Sequence, residues 1–275
     1  MPLVTIGAAS HPGLKRKDNQ DYFDYRIPDD DAGNNKGLLM TVADGMGGKP
    51  GGAQASSLAV SVLMREYYTL EFPKSIPESM KNAFLTANRE VLKKGHGNKD
   101  LEGMCTTMTA FVLKNRKLYY AHVGDSRGYH ITEKKIMQFT QDHSFVAKLV
   151  KIGAISDEEA RIHPERHVIT RAIGMDSELT VDVSKGHRKI KAGQYVLLCS
   201  DGLYNVVSDE EILDTVNHVQ VPDEICKTLL DTAIEEGGPD NITVLLARVD
   251  KSDQNLSLVG KCLKIFRDFF RWPKK

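Results

Sequence analysis

The sequence predicts an α+β fold with mainly antiparallel sheets and helices packed outside them. Short apolar runs bounded by glycine, at 38–43, 118–123, 195–199 and 242–247, are the signature of buried strands. The elements follow in the order strands, two helices, strands, two helices, strand, with no alternating βαβ units that would demand a parallel sheet. Three of these runs also end in an aspartate beside a glycine, at Asp44-Gly45, Gly124-Asp125 and Asp201-Gly202, and Asp240 precedes the fourth.

Residues 4–9 and 21–27 read as strands separated by a polar turn that holds Pro12 and Gly13. The loop 28–37 carries three aspartates, but not at calcium-loop spacing, so it reads as a solvated turn. A glycine-rich loop over 45–52 leads into a helix predicted over 53–68. The next helix begins near Pro77, a residue suited to a first helical position, and stops at Gly95. Strands are predicted at 106–113, 117–123, 128–131 and 135–139, the last two joined tightly through Glu133-Lys134. Residues 142–176 are helical in part, over 145–152 and 157–162, and rich in His and Arg. Between strands at 195–199 and 242–249 lie two helices. One is opened by the capping box Ser208-x-x-Glu211 and the other runs over 222–236.

The 275 residues are 41% hydrophobic and 27% charged, as in ordinary globular proteins, and read as one domain over 1–250 with a tail at 251–275. Formal net charge is zero, so no nucleic-acid partner is expected. The charge is uneven, however. The tail holds seven Lys/Arg and two Asp, a net +5 that leaves −5 on the first 250 residues. On a helix its apolar residues, among them Val259, Leu263 and Phe266, share one face, and Lys261, Lys264 and Arg267 share the other. Such a tail can pack on the body, dock a partner, or lie peripherally on the inner membrane face. Four dispersed cysteines, Cys105, Cys199, Cys226 and Cys262, read as reduced thiols of a cytosolic protein. The first residues lack a secretory signal and no run reaches the ~20 apolar residues of a spanning helix. The expected location is therefore cytoplasmic.

Burying a carboxylate at a strand end is costly unless positive charge compensates. Asp44, Asp125, Asp201 and Asp240 have no basic residue between strand and carboxylate, which predicts a cluster for hard divalent cations such as Mg²⁺, Mn²⁺ or Ca²⁺. A cationic turn, Lys15-Arg16-Lys17, comes shortly before the strand that Asp21 begins. Beside a metal cluster an arginine is the natural clamp for phosphate, because its planar fork matches two phosphate oxygens. Metals, carboxylates and a phosphate-binding arginine together point to hydrolysis of a phosphate ester. His163 and His167 stand four apart, but Pro164 interrupts a helix there, so zinc is not expected.

The segments Arg16-x-x-Asn19-Gln20-Asp21, Asp44-Gly45-Met46-Gly47-Gly48, Gly103-Met104-Cys105-Thr106-Thr107 and Val123-Gly124-Asp125-Ser126-Arg127 form the first half of an ordered set. Thr140-Gln141-Asp142-His143-Ser144, His163-Pro164-x-Arg166, Ser200-Asp201-Gly202 and Asp240-Asn241-Ile242-Thr243-Val244 complete it. In this order the chain resembles the metal-dependent protein serine/threonine phosphatases of the 2C type, the PPM family, and its compact bacterial members. The resemblance runs from about residue 4 to 249. It implies a four-layer αββα sandwich, two antiparallel sheets flanked by helix pairs. It also implies hydrolysis of phosphoserine and phosphothreonine on proteins by a water or hydroxide shared between two Mg²⁺ or Mn²⁺ ions.

By motif, the resemblance places Asp44 between both metals, with the Gly45 carbonyl on the first. Asp201 and Asp240 hold the second, and Asp21 acts close by through a metal-bound water. Arg16 binds the substrate phosphate, and Asp125 with Asp201 matches the third metal of bacterial members. Residues 145–171 match the family's mobile flap, which helps choose substrates. The implied partners are phosphorylated proteins and a cognate Ser/Thr kinase, and the implied state is a monomer. Two departures stand out. Met46 occupies the place where many eukaryotic relatives carry a histidine, which leaves a metal-bound water as the expected proton donor, and His167 replaces a frequent asparagine. The competing functions are a phosphoprotein-binding pseudo-phosphatase and a metal-dependent phosphodiesterase.

Overall fold

The computed structural model describes residues 4–28, 36–46, 51–69 and 75–250. The first sheet holds β1 (Val4–His11), β12 (Ile242–Val249), β11 (Tyr195–Cys199), β7 (Arg127–Thr132) and β8 (Lys135–Gln138), in that spatial order. The second runs β10 (Arg188–Lys189), β6 (Lys117–Val123), β5 (Met108–Lys114), β3 (Leu38–Met46) and β2 (Asp21–Arg26). Two short strands, β4 (Cys105–Thr106) and β9 (Asp182–Val183), pair with β3 and β6. These pairings are all antiparallel, as the element order predicts.

Helices cover both outer faces. α1 (Gly51–Thr69) and α2 (Ile76–Gly95) bury Ala59, Leu63, Phe84 and Val91 against Leu39, Ala43, Ala110 and Val112 of the second sheet. α6 (Asp209–Val219) and α7 (Pro222–Glu235) bury Ile212, Val216, Ile225 and Leu229 against Leu197, Val244 and Leu246 of the first. The alternate residues of the same strands, Met40, Val42, Phe111, Leu198, Leu245 and Ala247, meet between the sheets. Each central strand is thus buried on both faces. That is why antiparallel strands, which usually alternate apolar and polar residues, read here as unbroken apolar runs. The order of layers is α-β-β-α.

Local chemistry refines several boundaries. The strand expected over 106–113 is divided at Thr107 into β4 and β5, because Thr107 turns its hydroxyl and amide toward Asp44. Between β11 and β12 there are three helices rather than two, the extra one being the single turn α5 (Asp201–Tyr204). The segment beside the cleft contains α3 (Phe145–Lys151), capped by Ser144, and α4 (Asp157–Ile162), opened by a capping box from Ser156 to Glu159. Cys199 and Cys226 are buried free thiols and Cys105 is a partly buried one, whereas Cys262 and the whole tail lie outside the described residues. Among the described residues no helix is long and apolar enough to cross a membrane.

Phe111 fills the space between the sheets and stacks on Phe139 with ring centroids 4.7 Å apart. It fits only because Gly128 lies opposite, where an added Cβ would strike the ring. Phe111→Ala is therefore expected to lower unfolding free energy by about 3–5 kcal/mol. Gly128→Ala should lower it by about 1–3 kcal/mol through overpacking. Urea denaturation followed by circular dichroism reads both, and an unchanged midpoint for either would contradict this packing.

Candidate metal centre

Antiparallel pairing brings the predicted aspartates to one end of the sandwich. Asp21 opens β2 and lies directly opposite Asp44 on β3. Cys199, the last residue of β11, pairs with Val244 near the start of β12, which sets Asp201 and Asp240 side by side just beyond the sheet. Asp125 follows Gly124, which turns the chain at φ +109° after β6. Asp44 is the hub. Its carboxyl is pushed well above the usual aspartate range by burial and then by the charges of Asp21, Asp201, Asp125 and Asp240.

The neighbours respond in the same direction. Burial pushes Asp21 up to about 6, with the Ser200 hydroxyl pulling the other way. Burial, reinforced by Asp240 and Asp21, pushes Asp201 up to about 7. Asp125 is raised well above its ordinary value by burial and then by Asp201 and Asp142, against the pull of Arg127. Two of these buried groups have an oxygen with no hydrogen-bond partner, Oδ1 of Asp21 and Oδ1 of Asp125. Each such oxygen has lost its water without gaining a donor, which is costly.

Asp44 was expected at a strand end, but β3 runs two residues further and pairs Gly45 and Met46 with β4. This extension fixes the Asp44 backbone. Its N–H donates to Thr107 Oγ1 at 2.9 Å, and its carbonyl accepts from Thr106 Oγ1 at 2.8 Å and Thr107 N at 2.9 Å. Thr106 and Thr107 are themselves fully buried. Gly45 is held by a bond from its N–H to the Gln20 carbonyl at 3.1 Å. A side chain at Gly45 would collide with the Gly52 carbonyl where α1 docks.

Arg16 reaches the cluster and forms a fork on Asp240, with Nε to Oδ1 and Nη2 to Oδ2 both at 2.8 Å. This pair leaves Arg16 well exposed at the rim. Its guanidinium also feels Asp201 and Asp44. His167 has its pKa lowered by burial and Arg166, and it senses both Asp240 and Arg16.

Sequence reasoning missed part of the support. Ser200 donates to Asp21 Oδ2 at 2.7 Å and accepts from Thr243 N at 2.9 Å. Asn241 accepts from Gln20 N at 2.8 Å and donates to the Pro12 and Asp18 carbonyls at 2.9 Å, tying the Arg16 turn to Asp240. At the C-terminal end of α5, Asn205 donates to Asp201 Oδ2 at 3.1 Å, and the Tyr204 hydroxyl donates to the Asp125 carbonyl at 3.1 Å. Arg127 lies 3.7 Å over the Tyr204 ring and is held by Asp142. The one available signal was that these polar residues adjoin the aspartates in sequence.

Among the described residues no three His, Cys, Asp or Glu side chains stand in metal-ligating geometry, and Arg16, Ser200 and Asn205 engage the carboxyls of Asp240, Asp21 and Asp201. A hollow of about 660 Å³, lined by Glu133, Tyr195, Gln220 and Arg248, opens at the opposite end of β12 and contains none of the five aspartates.

Residues 15–237 match the family described as Protein phosphatase 2C. The serine/threonine protein phosphatase PstP of Mycobacterium tuberculosis is 37% identical over 252 residues, which cover 90% of this chain and 45% of that protein. The protein phosphatase PhpP of Streptococcus pneumoniae is 35% identical over 254 residues, 91% of this chain and 99% of that one. The catalytic domain of PstP, solved in complex with two manganese ions, superposes with a TM-score of 0.75 at 34% identity, covering 90% of this chain and 99% of that domain. With motif order, sandwich topology and these matches in agreement, the chain belongs to the protein phosphatase 2C family.

Proposed function

We propose that this chain hydrolyses phosphoserine and phosphothreonine on proteins with Mg²⁺ or Mn²⁺ bound among Asp44, Asp201, Asp240, Asp21 and the Gly45 carbonyl, and with a further ion at Asp125 and Asp201. The observation that carries this is the mutual repulsion around Asp44, where four other carboxyls raise its pKa. The donor set fits hard cations, being all oxygen. The two orphaned oxygens, on Asp21 and Asp125, fit it as well, because each is buried without a hydrogen-bond partner in the protein. When bound, the ions supply Lewis acidity, lowering the pKa of water and offsetting charge on the phosphoryl group.

The chain's own residues do the rest. Arg16 holds the substrate phosphate through its fork and must leave Asp240 to do so, trading one bidentate anion for another. Thr106 and Thr107 fix the Asp44 backbone, and Ser200 orients Asp21. Water adds to phosphorus and the serine or threonine oxygen leaves, taking up a proton to give the alcohol and inorganic phosphate. The thioether of Met46 has no acidic proton, so that proton comes from water. Phosphoproteins are the substrates, and a Ser/Thr kinase must supply them. The presence of all the expected acidic residues counts against the pseudo-phosphatase alternative, and the acidic body, with a net −5 over the first 250 residues, counts against the phosphodiesterase alternative. The tail at 251–275 is proposed as a peripheral docking element. Its deletion should abolish binding to anionic liposomes, and unchanged liposome binding would remove that role.

Asp44→Ala and Asp201→Ala should abolish Mn²⁺-dependent release of phosphate from a phosphothreonine peptide while leaving the circular dichroism spectrum intact. Full activity of the wild-type protein in excess chelator would overturn the reading. Arg16→Ala should raise KM about 10–100-fold, the effect of losing a charged hydrogen-bonded pair worth about 1.5–3 kcal/mol. An unchanged KM would show that the phosphate is held elsewhere.

The raised carboxyl pKa values also set a pH dependence. Asp21 and Asp201 retain protons to about 6 and about 7 in the folded chain, against ~3.9 unfolded. The folded state therefore binds more protons in that window, and stability falls as pH rises through it. The thermal midpoint of chelated protein should drop between about pH 4 and 7, and Mn²⁺ at about pH 7.5 should restore it. A midpoint that climbs with pH in chelator would contradict the cluster.

A further inference from the structure

His143 lies outside the aspartate cluster, yet two parts of the site meet on it. Its buried ring accepts the Gly124 N–H at Nδ1, 3.0 Å away, and its own backbone N–H donates to the Gly124 carbonyl at 2.7 Å. Gly124 immediately precedes Asp125, and it has no slack, because a Cβ there would press into Thr107. On its other side, the His143 carbonyl accepts the N–H of Thr170 at 2.7 Å and the Thr170 hydroxyl at 3.0 Å. Beside it, Phe145 N donates to the Val168 carbonyl at 2.8 Å and Ser144 pairs with Ile169. The two ends of the segment carrying α3 and α4 are thus closed on the residue that also grips the Asp125 turn.

The ring chemistry is constrained. A neutral imidazole that accepts at Nδ1 carries its proton on Nε2. That nitrogen stands 3.3 Å from Asp182 Oδ2. Arg171 Nη1 is also close to Nε2, at 2.9 Å, but it has an acceptor in Asp182 Oδ1 at 2.8 Å. Both bonds can form only if Nε2–H points to Asp182 and Arg171 serves the other carboxylate oxygen. Burial and Arg171 keep the ring neutral by lowering its pKa. His122 packs against it at 4.7 Å and is itself anchored by Thr109 and the Gln141 carbonyl.

We infer that His143 is a positioning residue for hydrolysis: Asp182 fixes its Nε2–H tautomer, and Nδ1 then holds the Asp125 turn and the α3–α4 segment in one relative arrangement. The inference rests on the phosphatase reading for its effect on rate, but its structural half can be tested without turnover.

The full chain is labelled with ¹⁵N-histidine, and the His143 tautomer is read from long-range ¹H–¹⁵N couplings in the wild type and in Asp182→Asn. The wild type should show Nε2–H. In the variant, the carboxamide that replaces the carboxylate can donate to Nε2, which moves the proton to Nδ1 and breaks the bond from Gly124. That variant should lose about tenfold in kcat on a phosphothreonine peptide with KM little changed, as expected when an outer partner of a site is removed. It should also speed hydrogen exchange of the 122–128 and 143–171 amides. His143→Asn, whose Oδ1 takes the place of Nδ1, should recover most of the rate that His143→Leu loses. A wild-type Nδ1–H tautomer would overturn the inference. So would a shifted tautomer without loss of kcat, or equal rates for the Asn and Leu variants. If His143→Leu does not fold, the Asp182→Asn comparison decides alone. If the wild type fails to hydrolyse the peptide at all, the phosphatase reading falls, while tautomer and exchange still test the joint.

Discussion

Five carboxyl groups share one buried end of this sandwich, and their mutual repulsion is the constraint around which the site is arranged. Asp21, Asp44, Asp125 and Asp201 are desolvated, and the charges of Asp21, Asp201, Asp125 and Asp240 add to burial in raising the pKa of Asp44. A fold tolerates such a cluster only if the rest of the scaffold is rigid enough to hold it. Here the rigidity comes from strands buried on both faces. β3, β5, β11 and β12 present one set of apolar side chains to helices and the alternate set to the opposing sheet. Slipping one of them by a residue would exchange two packed faces at once, which fixes register strongly. The carboxyls at the strand ends inherit that fixity.

The scaffold holds the aspartates mainly through backbone. Asp44 is positioned through its backbone by three hydrogen bonds, its N–H donating to Thr107 and its carbonyl accepting from Thr106 and Thr107, which leaves its carboxyl for the cleft. Asp125 is held through its carbonyl by Tyr204 and through the preceding residue by His143. This explains why the segment is interrupted at Thr107. A regular strand there would give its amide to a ladder rather than to Asp44. The single turn α5 has a similar origin, carrying Asp201 at its start and at its end Tyr204, which holds the Asp125 backbone, so that one turn serves two aspartates.

Much of this was legible in the sequence, and for a physical reason. Buried strands leave unbroken apolar runs, and an acid at the end of such a run stands out because burial makes it costly. The positions of Asp44, Asp125, Asp201 and Asp240 could therefore be read locally, as could the helix of α6 from its capping box. The supports could not. Ser200 contacts Asp21 across 179 positions, and Asn241 contacts Gln20 across 221, so no local pattern of residues encodes them. Arg16 is an intermediate case. Its type and turn marked it as an anion ligand, but the anion it holds, Asp240, is 224 positions away. The tail could be read only as an amphipathic pattern, because such a pattern does not specify what covers its apolar face.

The two arginines of the site illustrate how exposure assigns different duties to the same chemistry. Arg127 and Arg16 each make a bidentate pair with an aspartate. Arg127 is mostly buried and stacked on Tyr204, and breaking its pair would leave an uncompensated charge in the interior beneath Asp125. It is therefore a permanent brace. Arg16 stands at the rim with its side chain largely in solvent. Pairs of that kind contribute about 0–1 kcal/mol, because water competes for both ions. In the proposed reaction Arg16 would exchange Asp240 for a phosphoryl group at little cost, while the dianion gains two charge-assisted hydrogen bonds in return. A buried arginine at the same place would bind Asp240 too firmly to let go. The proposed phosphate ligand is therefore the exposed arginine, and the buried one has to stay still.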